Sequence, residues 1–443
     1  MAAASLLLAN SVMAAEDSTE KYVPKLSGYA SWESGEVVRG YSSSAGVELD
    51  RAWLQTGYMG ICANADVSDH LRILVGGEGQ YIVSFRRSEG GANDVFTELR
   101  FPQTVFSIKR GEALYTAGSA SNSLFQLEAG FFPYKYDADA KDLGEYLFRT
   151  YCYPTAMINE FDKPYADLVG LRLGLTLNAG PGAFHNDLLF TTSTQFWPFG
   201  DFSLSYLADY SFPRLFTLGA GVQFFDLFSV GVDNPALGID PTTPDPSQIN
   251  GKNYSFAGTK LMGRFSFDPK GFFPANNAFV EYLGKEDLKL YGELAILGLK
   301  NYPDTVQNND DGYNNIAWRT PAMLGFNFFE PWYPIVNLFF PKFRLIDVLG
   351  LELEYWYSPY PNSITNVEYD MKPLPPSYQQ HSFTKWSFYG RKSLGPHVNI
   401  IGQIANDHLM PKTTVMANGF ADFTDVTIGN SDWWWTLKAR FDF

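Results

Sequence analysis

Along most of this chain apolar and polar residues alternate one by one, and charged side chains sit in the middle of the polar rows. In LRILVGGEGQYIVSFR, Leu71, Ile73, Val75, Tyr81, Val83 and Phe85 form one row, while Arg72, Glu78, Gln80, Ser84 and Arg86 form the other. A period of two is the signature of an extended chain whose two faces meet different surroundings. The pattern recurs. GLRLGLTLN sets Leu171, Leu173, Leu175 and Leu177 against Arg172, and TKLMGRFSF sets Leu261, Phe265 and Phe267 against Lys260 and Arg264. DLKLYGELAI sets Leu288, Leu290, Leu294 and Ile296 against Lys289 and Glu293, and LGLELEYWY sets Leu349, Leu351 and Leu353 against Glu352 and Glu354. Lys385 and Arg391 join the same polar set. A packed protein core does not accept Arg, Lys and Glu in so many strands, whereas a wet lumen does. The apolar row then faces hydrocarbon.

That choice dictates closure. Lipid offers the backbone no hydrogen-bond partner, so a spanning sheet has to close on itself and leave no edge. The expected fold is all-β, a closed antiparallel transmembrane barrel of about 16 strands, with about 14 or 18 also compatible. The ambiguity lies in the stretches 97–118, 268–285 and 411–430. Strands of about 9 to 14 residues are expected, long enough to cross a bilayer at a tilt. Short turns are expected at Ser68-Asp69-His70, Gly200-Asp201 and Gly395-Pro396-His397, and long connections at 233–253, 302–315 and 358–380. A soluble propeller would show a repeat of about 40–50 residues, and none is found.

Composition agrees with interleaving. The chain is 45% hydrophobic and 16% aromatic, yet its mean hydropathy is only −0.16. It contains no apolar run of about 18 residues, as a helical span requires. A net charge of −15 argues against a nucleic-acid partner. Two cysteines, Cys62 and Cys152, are too few for a disulfide framework, and both one bridge and two free thiols fit. The start, MAAASLLLANSVMAAEDS, has an apolar stretch followed by small residues. Val12-Met13-Ala14 fits an export cleavage site, so residues 1–15 are expected to be part of a signal peptide and 16–443 the barrel.

The chain ends in SDWWWTLKARFDF. Phe443 and Phe441 stand two residues apart at the end of an alternating strand, and together with the signal-like start and the repeated strands they resemble a gram-negative outer-membrane barrel of porin type. The resemblance implies that the barrel-assembly machinery reads Phe441 and Phe443, that outer-membrane lipid surrounds the barrel, and that a homotrimer forms. Lys438 departs from the pattern, which often has Gly there. Trp433, Trp434 and Trp435 suit an interfacial aromatic girdle. A second stretch, LEAGFFPYKYDADAKDLGEYLFRTYCYP, resembles the porin segment in which a strand leads into a loop folded into the pore.

That loop, 134–159, is the candidate constriction. It gathers Lys135, Asp137, Asp139, Lys141, Asp142, Glu145 and Arg149, and opposed charges across a narrow aqueous pore create a transverse field that filters ions by sign. The competing reading is a solvated loop covering the barrel mouth. The lumen-facing candidates are Arg72, Glu78, Arg86, Arg172, Lys260, Arg264, Lys289, Glu293, Glu352, Glu354, Lys385 and Arg391. Their basic members are compatible with an anion path or with simple charge pairing across neighbouring strands. Asn308, Asn309, Asp310, Asp311 and Gly312 lack the spacing and closing Glu of a calcium loop, so no metal or other cofactor is expected. His70, His185, His381, His397 and His408 form no metal pair at helical spacing, and no catalytic motif is present.

The function expected is passive diffusion of small hydrophilic solutes or ions through the lumen, without enzymatic activity. The alternatives are a surface binding or adhesion barrel, working through its long loops with a blocked lumen, and an outer-membrane hydrolase.

Overall fold

The computed structural model describes residues 24–42, 47–48, 50–86, 103–119, 123–148, 158–159, 165–192, 202–225, 227, 258–274, 277, 280, 283–299, 316–330, 339, 344–357, 383–406 and 431–443. Residues 1–15, Arg149, Cys152, the segment 308–312, the loops 233–253 and 358–380, His381 and His408 lie outside them.

Sixteen strands form the wall. In chain order they are β1 (Lys25–Arg39), β2 (Ala52–Asp66), β3 (Leu71–Arg86), β4 (Gln103–Ser119), β5 (Ser123–Tyr134), β6 (Tyr165–Ala179), β7 (Gly182–Thr192) and β8 (Phe202–Phe212), followed by β9 (Phe216–Phe225), β10 (Gly258–Phe267), β11 (Leu290–Ile296), β12 (Ala322–Asn327), β13 (Val348–Trp356), β14 (Phe383–Ser393), β15 (Val398–Ala405) and β16 (Trp433–Asp442). Each pairs antiparallel with its neighbours in sequence. The ring closes where β1 meets β16, in register from Tyr29 opposite Asp442 to Val37 opposite Trp434, with an irregularity before Arg39 opposite Trp433. Beyond that register Gly28 and Phe443 exchange two backbone hydrogen bonds, 2.8 and 2.9 Å. The sheet therefore has no free edge, as the alternating pattern requires.

Burial in this barrel is inverted relative to a water-soluble protein. The outward rows are apolar and open: Phe106 is 75% and Ile108 69% exposed, and Met59, Ile61, Val75, Leu188, Leu218, Leu294, Leu324 and Leu437 share that face. The inward rows are polar and closed: Lys260 is 0% and Glu352 1% exposed, with Glu78, Gln80, Glu128, Glu293, Glu354 and Lys385 buried beside them. The pleat alone produces this sorting, since successive side chains leave opposite faces.

Several local expectations need correction. Strands range from 6 residues (β12) to 17 (β4), wider than the 9 to 14 expected. The ambiguous stretch 97–118 contains most of β4. Part of 268–285 is a 3₁₀ turn, Pro269–Phe272. The short turns at 67–70 and 394–397 are present, the second with Gly395 at φ 85°. Gly200-Asp201 lies outside the described residues. The strand expected to begin at Asp287 starts at Leu290. Asp287 instead closes the preceding turn: its carboxylate accepts from the Gly284 N–H (2.7 Å) and from Arg344 (2.6 Å). Leu288 then adopts φ 63° and leaves the apolar row. Trp434 is fully buried on the inward face, so the outward girdle reduces to Trp433 and Trp435. The Trp435 ring meets Trp53 edge-on at 5.8 Å.

Candidate functional site

The segment after β5 does not stay at the rim. Residues 135–148 cross to the far side of the ring and pack against β10 to β14, and the wall strands supply their partners. The Glu352 carboxylate of β13 accepts the backbone N–H groups of Lys141 (2.6 Å), Asp142 (2.9 Å) and Leu143 (2.8 Å), and the Tyr291 hydroxyl (2.8 Å). On β11, Glu293 accepts the N–H groups of Glu145 (2.7 Å) and Tyr146 (2.9 Å) and the Tyr136 hydroxyl (2.5 Å). The Tyr146 hydroxyl donates to Glu354 (2.7 Å), and Lys260 donates to the Leu147 carbonyl (3.2 Å). A loop without regular structure leaves its N–H groups unpaired, and carboxylates on the wall satisfy them with charge-assisted bonds.

Apolar packing fills the contact. Tyr136, Leu143, Tyr146, Leu147 and Phe148 join Leu189, Leu207, Phe225, Met262, Tyr291, Met323 and Trp356 in one buried cluster. Phe148 lies edge-on to Tyr134 at 5.5 Å. The loop thus closes off the side of the lumen bounded by β7 to β13.

The charges of the loop separate by sign. Asp137, Asp142 and Glu145 are buried within the loop or against the wall. The Ser387 hydroxyl donates to Asp142 (2.5 Å), and Arg264 stands 3.8 Å from Asp137. Glu145 accepts the N–H groups of Tyr136 (3.3 Å) and Asp137 (2.5 Å). Asp139 pairs with Lys289 at 2.8 Å and accepts from the Ser266 hydroxyl at 2.5 Å. Lys135 donates to the Ala140 carbonyl (2.6 Å). Lys135 and Lys141 line the open side. The loop acids thus serve as partners to the loop and the wall, while Lys135 and Lys141, both half-buried, line the cavity.

Burial dominates the protonation of three loop groups: it raises the Asp137 carboxyl against the pull of Arg264, raises Glu145 well above the usual carboxylate range, and lowers the Lys135 ammonium. Burial also raises Asp139, but the Lys289 charge and the hydrogen bonds from Lys289 and Ser266 outweigh it, and its pKa falls below 3.8. The sign follows. A carboxyl lowered in the folded state contributes fully above its unfolded value, and the contribution is lost as pH falls through the lowered value. The loop is therefore expected to loosen below about pH 3.8. Asp139→Asn removes this acid-side step, as read by protease nicking between residues 135 and 148 at pH 3 and pH 7.

The lumen-facing candidates occupy three settings. Arg172 pairs with Asp187 (2.9 Å) and Glu128 (3.1 Å), and Arg264 with Asp209 (3.2 Å), which is cross-strand neutralisation. Lys260, Lys289, Glu293, Glu352 and Glu354 hold the loop, and Lys385 is buried on the same wall. Arg72 and Arg391 line a cavity beside the loop, with Arg72 2.8 Å from Asp66. Glu78 is buried 3.6 Å from Lys109. The side chain of Arg86 lies outside the described ones.

This cavity, of about 910 Å³, lies between the loop and the wall of β1 to β5, β14 and β16. Lys109, Arg110 and Arg440 line it and were not among the sequence candidates. Arg440 sits in an alternating polar row, so its parity was a sufficient signal. Lys109 and Arg110 are adjacent, and strict alternation would send one of them to the outside. A register shift opposite Gly76 and Gly77 inserts an extra residue at Lys109, and both side chains reach the cavity. The clamp partners Tyr291, Ser266 and Ser387 were also missed, since only the docked loop gives them a role.

Cys62 is a free thiol. His70 and His397 contact the backbone carbonyls of Thr116 and Asp442, and His185 contacts the Thr176 hydroxyl, each near 3.0 Å. Among the described residues no cluster of His, Cys, Asp and Glu is arranged to hold a metal ion.

No protein-family model and no curated protein sequence matches the chain. Among solved structures it is similar to Pseudomonas putida OprB at high pH, with 11% identity over 96% of this chain and 94% of that one, TM-score 0.49. It is similar also to a triple mutant of a Rhodopseudomonas blastica porin, with 9% identity over 95% of this chain and 100% of that one, TM-score 0.42. The architecture stands on the strand pairing itself. The chain is a closed 16-strand antiparallel barrel, with the segment after its fifth strand folded across the lumen.

Proposed function

We propose that this protein spans the outer membrane of a gram-negative bacterium and lets small hydrophilic solutes or ions diffuse passively through its lumen. One observation carries the reading: an apolar exterior surrounds a polar interior in which the loop leaves a cavity of about 910 Å³. Lipid against the outside and water on the inside satisfy both faces. Loop 135–148 narrows the path, and its contacts with Glu293 and Glu352 keep it from swinging free. Residues 1–15 serve as part of the export signal, Phe441 and Phe443 as the mark for barrel assembly, and the working unit is a homotrimer.

The test is a planar lipid bilayer. The purified barrel, shown folded by its heat-dependent migration in a gel, is expected to give stepwise, ohmic conductance. A folded barrel that stays silent across the voltage range overturns the proposal in favour of a binding role.

A further inference from the structure

We propose that the passage selects for small anions, carboxylate- or phosphate-bearing solutes among them, although the whole chain carries −15. This rests on the channel reading and names the substrate class of the same opening. The observation is the segregation of charge. The cavity beside the loop is lined by Arg72, Arg391 and Arg440 from the wall, by the bulge pair Lys109 and Arg110, and by the loop lysines. Asp442 is the carboxylate residue that lines it among the described ones, and Arg440 holds it at 2.9 Å.

Part of this positive charge is offset from behind. Asp66 pairs with Arg72 at 2.8 Å, Glu78 lies 3.6 Å from Lys109, and Glu112 lies 3.8 Å from Arg110. Lys141 and Arg391 differ. Among the described residues no carboxylate stands within ion-pair range of either, and the buried Nε of Arg391 has no hydrogen-bond partner. Nearby loop acids are engaged elsewhere: Asp142 accepts from the Ser387 hydroxyl of β14, and Asp137 faces Arg264 of β10. Docking the loop thus buries Asp137, Asp142 and Glu145 and pairs Asp139 with Lys289, while Lys135 and Lys141 line one void together with Arg391 and the bulge pair. A low-dielectric wall focuses that field, so anions are concentrated and cations repelled. The bulge matters for the same reason, since without it one of two adjacent cations would point at the outside.

The experiment is the reversal potential of the reconstituted wild-type barrel in a potassium chloride gradient, repeated for Lys141→Gln, Arg391→Gln and the double variant, with Lys285→Gln as a control away from the cavity. The wild type is expected to prefer chloride, and the double variant to lower the chloride-to-potassium permeability ratio by about threefold or more. The control is expected to match the wild type. The wild-type sign needs no mutant to fold. An open pore that prefers potassium, or a folded double variant with the wild-type ratio, overturns the anion assignment and leaves the channel reading standing. A folded wild-type barrel without current overturns both.

Discussion

Glu352→Ala will release the lumen loop. In the native barrel this carboxylate takes three consecutive backbone N–H groups, from Lys141, Asp142 and Leu143, between 2.6 and 2.9 Å. Alanine leaves those donors buried without an acceptor, and frees the Tyr291 hydroxyl, which also donates to Glu352 at 2.8 Å. Truncating one partner of such a buried charged cluster costs about 3–5 kcal/mol. The barrel wall does not depend on the contact, because its strands are joined by their own ladder hydrogen bonds. The cost therefore falls on the docked state of the loop. Cleavage by added protease inside 135–148, together with larger and noisier single-channel conductance, is the expected readout. Glu352→Gln keeps one acceptor oxygen but turns an amide NH₂ toward N–H donors, so it rescues poorly. If the alanine variant keeps a protease-resistant loop and wild-type conductance, apolar packing of Tyr146, Leu147 and Phe148 holds the loop instead.

Leu353→Arg will destabilise the barrel by about 2–4 kcal/mol in a lipid bilayer. Leu353 is the outward neighbour of Glu352 and Glu354, near the middle of β13, and is 44% exposed. On a water-soluble surface an exposed leucine replaced by arginine changes stability by within about 0.5 kcal/mol. The two environments thus predict different numbers for one substitution. Unfolding midpoints in denaturant, measured on vesicle-embedded barrel, distinguish them. A shift near zero would mean that the outward row does not meet hydrocarbon.

The two substitutions sit side by side in sequence and report on opposite faces, which shows what a sequence reveals most readily. Strand identity was legible because alternation is local: β3 runs from Leu71 to Arg86, as the pattern indicates, and β10 and β13 follow theirs to within a residue. Inward parity gave Glu293, Glu352 and Lys260 for the same reason. Legibility failed where backbone geometry breaks the period. Asp287 draws the chain into a turn and moves Leu288 out of its row, and the bulge at Lys109 shifts parity within β4. It failed also for the tryptophan run, because three adjacent residues cannot all face outward along a pleat.

The amino-acid sequence by itself determined that this chain makes long two-faced strands with a charged side, and from that, through the demand of the backbone for hydrogen bonds, a ring without an edge. Period two is a property of neighbouring residues and needs no knowledge of distant ones. Only the tertiary structure decided where the loop lands and how its charges sort, since the Lys141 N–H and its acceptor Glu352 are 211 positions apart. Such a pairing depends on which strands stand opposite once the ring has closed, and no local pattern encodes that distance.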